Sequence, residues 1–142
     1  MPGFFVSSVT PANQTSIRDV RVELARYLNG MHKRIHPVFS ECFLDSLRAL
    51  PPADPRNDSH LTTRLEIVIR WDGRIRRMGV VRSSGLAAFD IGALDTVDRA
   101  QPFEPPSNAV RSRDGNVYVQ WEFHRDETLA CSTIGAQPFL LQ

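Results

Sequence analysis

With 142 residues, 42% hydrophobic and 23% charged, the chain has the size and composition of one globular domain. A chain of this length buries roughly 68% of its unfolded surface, so neither a disulfide nor a metal is needed for folding. A formal net charge of +1 leaves no strong field for nucleic acid or an anionic membrane.

The first apolar run, Phe4-Phe5-Val6, lacks the charged start and long apolar middle of a leader. Nothing in the chain is expected to span a membrane, and any anchor is expected outside it. Residues 1–17 carry Pro, Ser, Thr, Asn and Gln with little periodicity and read as a flexible lead-in to a domain over 18–125. Val20, Leu24, Tyr27, Met31, Ile35, Phe39, Phe43 and Leu47 then recur at helical steps. Arg18, Arg21, Glu23, Arg26, Lys33 and Arg34 occupy the other face. Pro37 cannot donate to the preceding turn and disfavours a helical His36. The pattern therefore predicts a kinked pair of helices over 19–35 and 38–49, stopped by Pro51-Pro52.

After a Pro-rich loop at 51–60, Thr63, Leu65, Ile67, Ile69 and Trp71 alternate with Arg64, Glu66 and Arg70. That predicts a strand over 61–71 with Trp71 in the core and Val68 as an apolar exception on the wet face. Asp72-Gly73 is a hairpin turn signal. The partner strand, 75–83, is less regular, and Gly79 would allow a bulge. Ser83-Ser84-Gly85 reads as a turn and helix entry. Leu86, Phe89, Ala93, Val97 and Ala100 form a helical stripe over 86–100, with Asp90, Asp95, Asp98 and Arg99 mostly off it. Prolines 102, 105 and 106 mark a crossover, and Arg113-Asp114-Gly115 a second tight turn. Val117, Val119, Trp121 and Phe123 then alternate with Tyr118, Gln120, Glu122 and His124 in the clearest strand of the chain, 116–125. The tail, 126–142, receives no element.

The fold class is α+β: the helix pair, then β-β-α-β with a three-stranded antiparallel sheet packed on helices. If the last strand lies at the sheet edge, its row of free N–H and C=O groups must be managed or used. Between Val117 and Phe123 there is no Lys or Pro, and Glu122 is the only charge. An incoming peptide would gain main-chain bonds there and rest beside Tyr118, Gln120 and Glu122. The alternative is an edge covered by residues 126–142 or by a second copy of the domain.

The ordered set of Tyr27, Ile35 and Pro37, the strand up to Trp71, Asp72-Gly73, Val80 to Gly85, Phe89-Asp90, Ala93-Leu94, Val97, Pro102-Phe103, Pro105 and Val117 to Phe123 resembles the C-terminal domain of TonB and the related third domain of TolA. The match covers about 27–124. The intervening second helix and Pro-rich loop look more like TolA, and Arg99-Ala100-Gln101-Pro102-Phe103 replaces the family's aromatic-basic stretch. The resemblance implies a periplasmic domain of an inner-membrane-anchored protein. Such a domain couples a motor complex, reached through an N-terminal part absent from this chain, to an outer-membrane receptor or envelope protein. A segment of that partner adds to the sheet along Val117, Tyr118, Val119, Gln120, Trp121, Glu122, Phe123 and His124. Envelope-integrity and gliding roles are both within the family's range. The alternative is a structural assembly module acting through self-pairing, as a homodimer, or through tail docking.

Other chemistry is weaker. His32 and His36 have metal-ligand spacing on a helix, but the sequence offers no third ligand at a telling distance, so a solvated face is expected and no metal or cofactor. Cys42 and Cys131 allow one disulfide or two unrelated thiols. Cys42, beside Phe43, reads as core rather than reactive. Arg70, Arg74, Arg76, Arg77 and Arg82 crowd the hairpin but lack an exposed aromatic partner for nucleic acid. Asp90 and Asp95 do not share a face, and no nucleophile-base set or phosphate loop stands out, so no enzyme is expected.

Overall fold

The structure, a computed structural model, describes residues 14–139. The Phe4-Phe5-Val6 run, most of the expected lead-in and the final Leu140, Leu141 and Gln142 lie outside the described residues.

Helix α1 spans Gln14–His36, a π-helix spans Pro37–Leu44, and α2 spans Asp45–Arg48. The expected break at Pro37 is absent. His36 stays helical, with φ −55° and ψ −48°, instead of being pushed out of that region. The wider π turn shifts the hydrogen-bond pattern where the proline has no N–H to give, and so carries the helix through the ring. The apolar stripe packs as its spacing predicts: Leu24, Tyr27, Met31, Ile35, Phe39 and Leu47 are buried. Cys42 is exposed, not core, because the π turn rotates the positions after Pro37 relative to an α-helical count.

Strands β1 (Thr62–Ile69), β2 (Ile75–Arg82), β3 (Val117–His124) and β4 (Ala136–Phe139) form one sheet in the order β2-β1-β3-β4. Helix α3 (Ala87–Ala100) packs on β1 and β2, α1 and the π-helix pack on α3, and their buried residues share one core with the sheet. The sheet therefore has four strands rather than three, and the fourth comes from the segment that received no element. β1–β2, β1–β3 and β3–β4 are all antiparallel. The β2 ladder breaks register opposite Arg64/Leu65 and Val68/Ile69, not at Gly79, which sits in register opposite Glu66.

Both tight turns share one construction. Gly73 N–H donates to Arg70 O and Arg70 N–H to Arg74 O; Gly115 N–H donates to Ser112 O and Ser112 N–H to Asn116 O. Each is a three-residue loop closed by a positive-φ glycine, with φ 87° at Gly73 and 88° at Gly115. The expected two-residue turn at Asp72-Gly73 is thus one residue longer. It takes Trp71 out of the strand alternation, leaving it 61% exposed rather than in the core.

Gly73 also seats the hairpin on the crossover. Phe103 N–H donates to Gly73 O at 2.8 Å, and a Cβ at Gly73 would stand 2.0 Å from the Phe103 carbonyl oxygen. A Cβ at Gly115 would meet nothing within 4 Å. Gly115→Ala is therefore expected to lose only the positive-φ cost, about 1–2 kcal/mol, and Gly73→Ala clearly more. Denaturant midpoints of the two variants measure the difference; equal losses would mean the hairpin does not bear on Phe103.

Two long side chains tie α1 to the far end of α3. Arg34 Nε donates to Ala100 O at 2.8 Å, satisfying a terminal helix carbonyl, and Tyr27 Oη donates to Glu104 O at 2.8 Å. Gly92 lets α3 close on the π-helix, since a Cβ there would stand 2.1 Å from the Phe43 ring.

Candidate functional site

β3 pairs with β1 along its full length, from Thr62 opposite His124 to Ile69 opposite Val117. The two faces follow the alternation. Val117, Val119, Trp121 and Phe123 are buried on the helix side, and Trp121 Nε1 donates to Cys131 O at 3.0 Å. Tyr118, Gln120, Glu122 and His124 lie on the opposite face.

The other edge of β3 is not free. Tyr118, Val119, Gln120 and Trp121 stand opposite Phe139, Pro138, Gln137 and Ala136 of β4. The expectation that β3 forms the open edge is corrected: the segment after Arg125 folds back over it. Ala-Gln-Pro-Phe gave no strand signal because four residues are too few to show alternation and a proline argues against a strand.

The backbone polarity of β3 can be assigned. Arg125 N–H donates to Leu61 O beyond β1 at 2.9 Å, and His124 N–H donates to Ala130 O on the other side at 2.8 Å. Antiparallel alternation then directs the N–H groups of Val119, Trp121 and Phe123 to β1, and those of Tyr118, Gln120 and Glu122 to the β4 side. Val119 and Pro138 are a non-hydrogen-bonded pair, so Pro138 occupies the one kind of position where its missing N–H faces outward. Within β4 only Ala136 then presents an N–H to the outside, and the outer edge of β4 is a poor template for another strand.

The face opposite the helices is closed by Arg64, read from sequence as a wet residue but buried here. Its Nε donates to Gln120 Oε1 at 2.7 Å, one terminal nitrogen to Glu122 Oε2 at 3.0 Å, and the other to Gln137 Oε1. One guanidinium thus joins β1, β3 and β4, its planar fork matched to three acceptors. Glu122 also meets Arg82 at 3.5 Å and His124 Nε2 at 3.4 Å. Farther along, Tyr118 stands between Val68 of β1 and Phe139 of β4, and Val68 is fully buried; this explains the apolar exception in β1. The Tyr118 and Phe139 ring centroids are 5.5 Å apart, and Arg77 lies 5.9 Å above the Tyr118 ring. Tyr118 Oη donates to Asp114 Oδ2, and burial followed by that bond pushes the phenol pKa up.

β2, the opposite edge, is exposed along much of its length and carries two register breaks with Arg76, Arg77 and Arg82. Bulges and charges of this kind blunt an edge. Arg70 and Arg74 meet Asp72 at 3.4 and 4.0 Å, and Arg77 meets Glu66 at 4.0 Å, so these cations face carboxylates of their own hairpin. The two cysteines are free and far apart in environment: Cys42 is exposed, Cys131 fully buried. Cys131 lies instead beside His36 and His32, a grouping invisible in sequence because 95 residues separate it from His36.

Among the described residues no helix is long and apolar enough to cross a membrane. A protein-family comparison matches residues 27–120 to the family described as TonB C terminal, a span of more than half the chain. Neither the curated proteins nor the solved structures gave a match.

Proposed function

The chain belongs to the TonB C-terminal family, and from that premise we propose that it is the periplasmic, partner-binding domain of an inner-membrane-anchored energy transducer, with no catalytic step of its own. It receives an extended segment of an outer-membrane receptor or envelope protein along Val117–His124. The motor complex acts through a part of the protein beyond this chain.

The observation that supports this reading is the β3–β4 ladder. β4 is a four-residue strand bonded to β3 through only two pairs, Tyr118 with Phe139 and Gln120 with Gln137. About four main-chain bonds of roughly 0.5–1.5 kcal/mol net each contribute a few kcal/mol, to which the Arg64–Gln137 bond and the Tyr118–Phe139 contact add. Release of four residues is a sub-global opening, below the unfolding of the whole domain. Because the outer edge of β4 lacks the Pro138 donor, an incoming segment gains more by taking the place of β4 than by lying beside it. β4 is thus a resident strand that keeps a receptive edge paired until the partner arrives.

Two experiments test this. In native-state hydrogen exchange, the Tyr118 and Gln120 amides are expected to exchange faster than those of Val119 and Trp121, which face β1. Gln137→Pro removes a ladder donor and is expected to speed the Tyr118 and Gln120 amides at least tenfold while leaving Val119 unchanged. Titration with an extended segment of a candidate envelope partner should then move the amide resonances of β3 and β4. Shifts confined to β2 and its arginines would place binding at the other edge and sink the proposal.

The assembly-module reading is favoured by one specific fact: β4 is by construction complementary to β3, so two copies could exchange it. Sedimentation at several concentrations separates the readings. A dimer that persists on dilution supports exchange between copies; a monomer supports a foreign partner.

A further inference from the structure

A second site lies at the C-terminal end of α1. His32 and His36 project from adjacent turns of that helix, with ring centroids 5.2 Å apart. Cys131 approaches them from the segment that joins β3 to β4, its Sγ 3.7 Å from His36 Nδ1. The donor atoms of all three residues lie within 4.8 Å of one another. They line an open cleft of about 190 Å³ together with Glu127 to Ala130, Ser132 and Thr133.

We propose that His32, His36 and Cys131 bind a transition-metal ion of the Zn²⁺ type, and that the ion staples the segment carrying β4 to α1. Two imidazoles and one thiolate are ligands for a borderline-soft ion rather than for Mg²⁺ or Ca²⁺, which take oxygen donors. Metal–nitrogen bonds of about 2.0–2.1 Å and a metal–sulfur bond of about 2.3 Å require the three donors to close in slightly. Rotation about the side-chain torsions of the half-buried histidines can supply that movement. The cleft leaves the fourth position to water, as in three-ligand zinc sites.

Ligation takes Cys131 as the thiolate, an ionisation that its full burial opposes, so the metal must displace the thiol proton. Binding therefore transfers one thiol proton to solvent as the metal–sulfur bond forms.

The staple has a mechanical consequence. Trp121 Nε1 already holds the Cys131 carbonyl, and Ala130 O accepts from His124 N–H, so Cys131 sits where the returning segment meets the sheet. A metal bridging Cys131 to α1 would restrain the segment that leads into β4. This consequence rests on the resident-strand reading; the metal site does not.

Co²⁺ titration of the full chain carrying Cys42→Ser, under reducing conditions, is the test. One Co²⁺ per chain is expected, with a sulfur-to-cobalt charge-transfer band and tetrahedral d–d absorption, and Zn²⁺ should displace it stoichiometrically. Cys131→Ser should abolish the band, and His32→Gln, at a half-buried helix position that leaves the core intact, should weaken Co²⁺ binding at least tenfold. The absence of the band in the Cys42→Ser chain, its survival in Cys131→Ser, or undiminished binding in His32→Gln would each overturn the site. If Cys131→Ser does not fold, His32→Gln alone decides. With Zn²⁺ bound, the Tyr118 and Gln120 amides should exchange more slowly. Zn²⁺ bound with no such slowing would leave the metal site standing and remove its link to β4.

Discussion

Phe39→Ala is expected to cost about 3–5 kcal/mol of folding stability, among the largest losses any single truncation in this chain would cause. Phe39 lies in the π-helix and is fully buried. Its ring stands edge-on to Phe123 of β3, with centroids 5.1 Å apart, and to Phe89 of α3 at 6.4 Å. Phe43 adds a third ring at 5.7 Å. One side chain thus joins the helical layer, α3 and the central part of the sheet. Truncation removes its transfer free energy and leaves a cavity that three layers cannot close together. Edge-to-face pairs add about 0.5–1.5 kcal/mol each beyond burial, which places the loss toward the upper end of the range. Urea unfolding should show a lower midpoint with an unchanged slope. Phe39→Leu, which keeps most of the volume, should lose much less. A loss below about 1 kcal/mol for Phe39→Ala would mean that the π-helix does not dock through this ring.

The same residue shows what could be read in the sequence. Its burial was legible, because it falls on an apolar stripe that survives Pro37. The π turn was not, since nothing in the local composition distinguishes a helix that breaks at a proline from one that widens around it. An α-helical count carried past Pro37 therefore puts Cys42 inside, whereas it is exposed.

In the sheet, β3 is legible because Val117, Val119, Trp121 and Phe123 alternate with Tyr118, Gln120, Glu122 and His124, Tyr118 alone being buried on the second face. β4 was not, and with it went the state of the site, since a strand of four residues with a proline has no periodic signature. Trp71 was misplaced by one loop residue: a three-residue turn and a two-residue turn both end on Asp72-Gly73, and only the longer one releases the tryptophan. A charge on a strand reads as solvated, and Arg64 is buried. Its burial depends on acceptors from two other strands, Gln120, Glu122 and Gln137, and the last belongs to the strand that could not be seen. The grouping of Cys131 with His32 and His36 likewise depends on the chain returning after β3. Trp71 apart, which turns on local loop length, what stays hidden is a long-range contact of the returning segment, and that segment also governs access to β3.

Asp90→Ala should be among the largest losses at a polar position, about 2–3 kcal/mol at neutral pH, because it deletes several bonds to one charged group. Asp90 lies in the first turn of α3 and is 7% exposed, although its place off the apolar stripe suggested a solvated residue. Its carboxylate accepts from the Ser84 N–H at 2.9 Å, from the Ser84 hydroxyl at 2.7 Å and from the Ser83 hydroxyl. These bonds fix the turn between β2 and α3, and the negative charge sits favourably near a helix N-terminus. Burial by itself raises the carboxyl pKa, but the bonds from Ser83 and Ser84 outweigh it and the net shift is downward. The folded state therefore holds a proton at this site less readily than the unfolded chain, whose aspartate titrates near 3.9. The stabilisation is complete above that unfolded value and fades as pH falls through the lower folded one. Between neutrality and about pH 5 the gap between wild type and Asp90→Ala should stay constant, and below about pH 4 it should narrow. Ser84→Ala, which keeps the N–H donor, should lose less than Asp90→Ala. A gap that widened on acidification would mean that Asp90 is held protonated in the fold, and the bonds at the start of α3 would then need the opposite assignment of donor and acceptor.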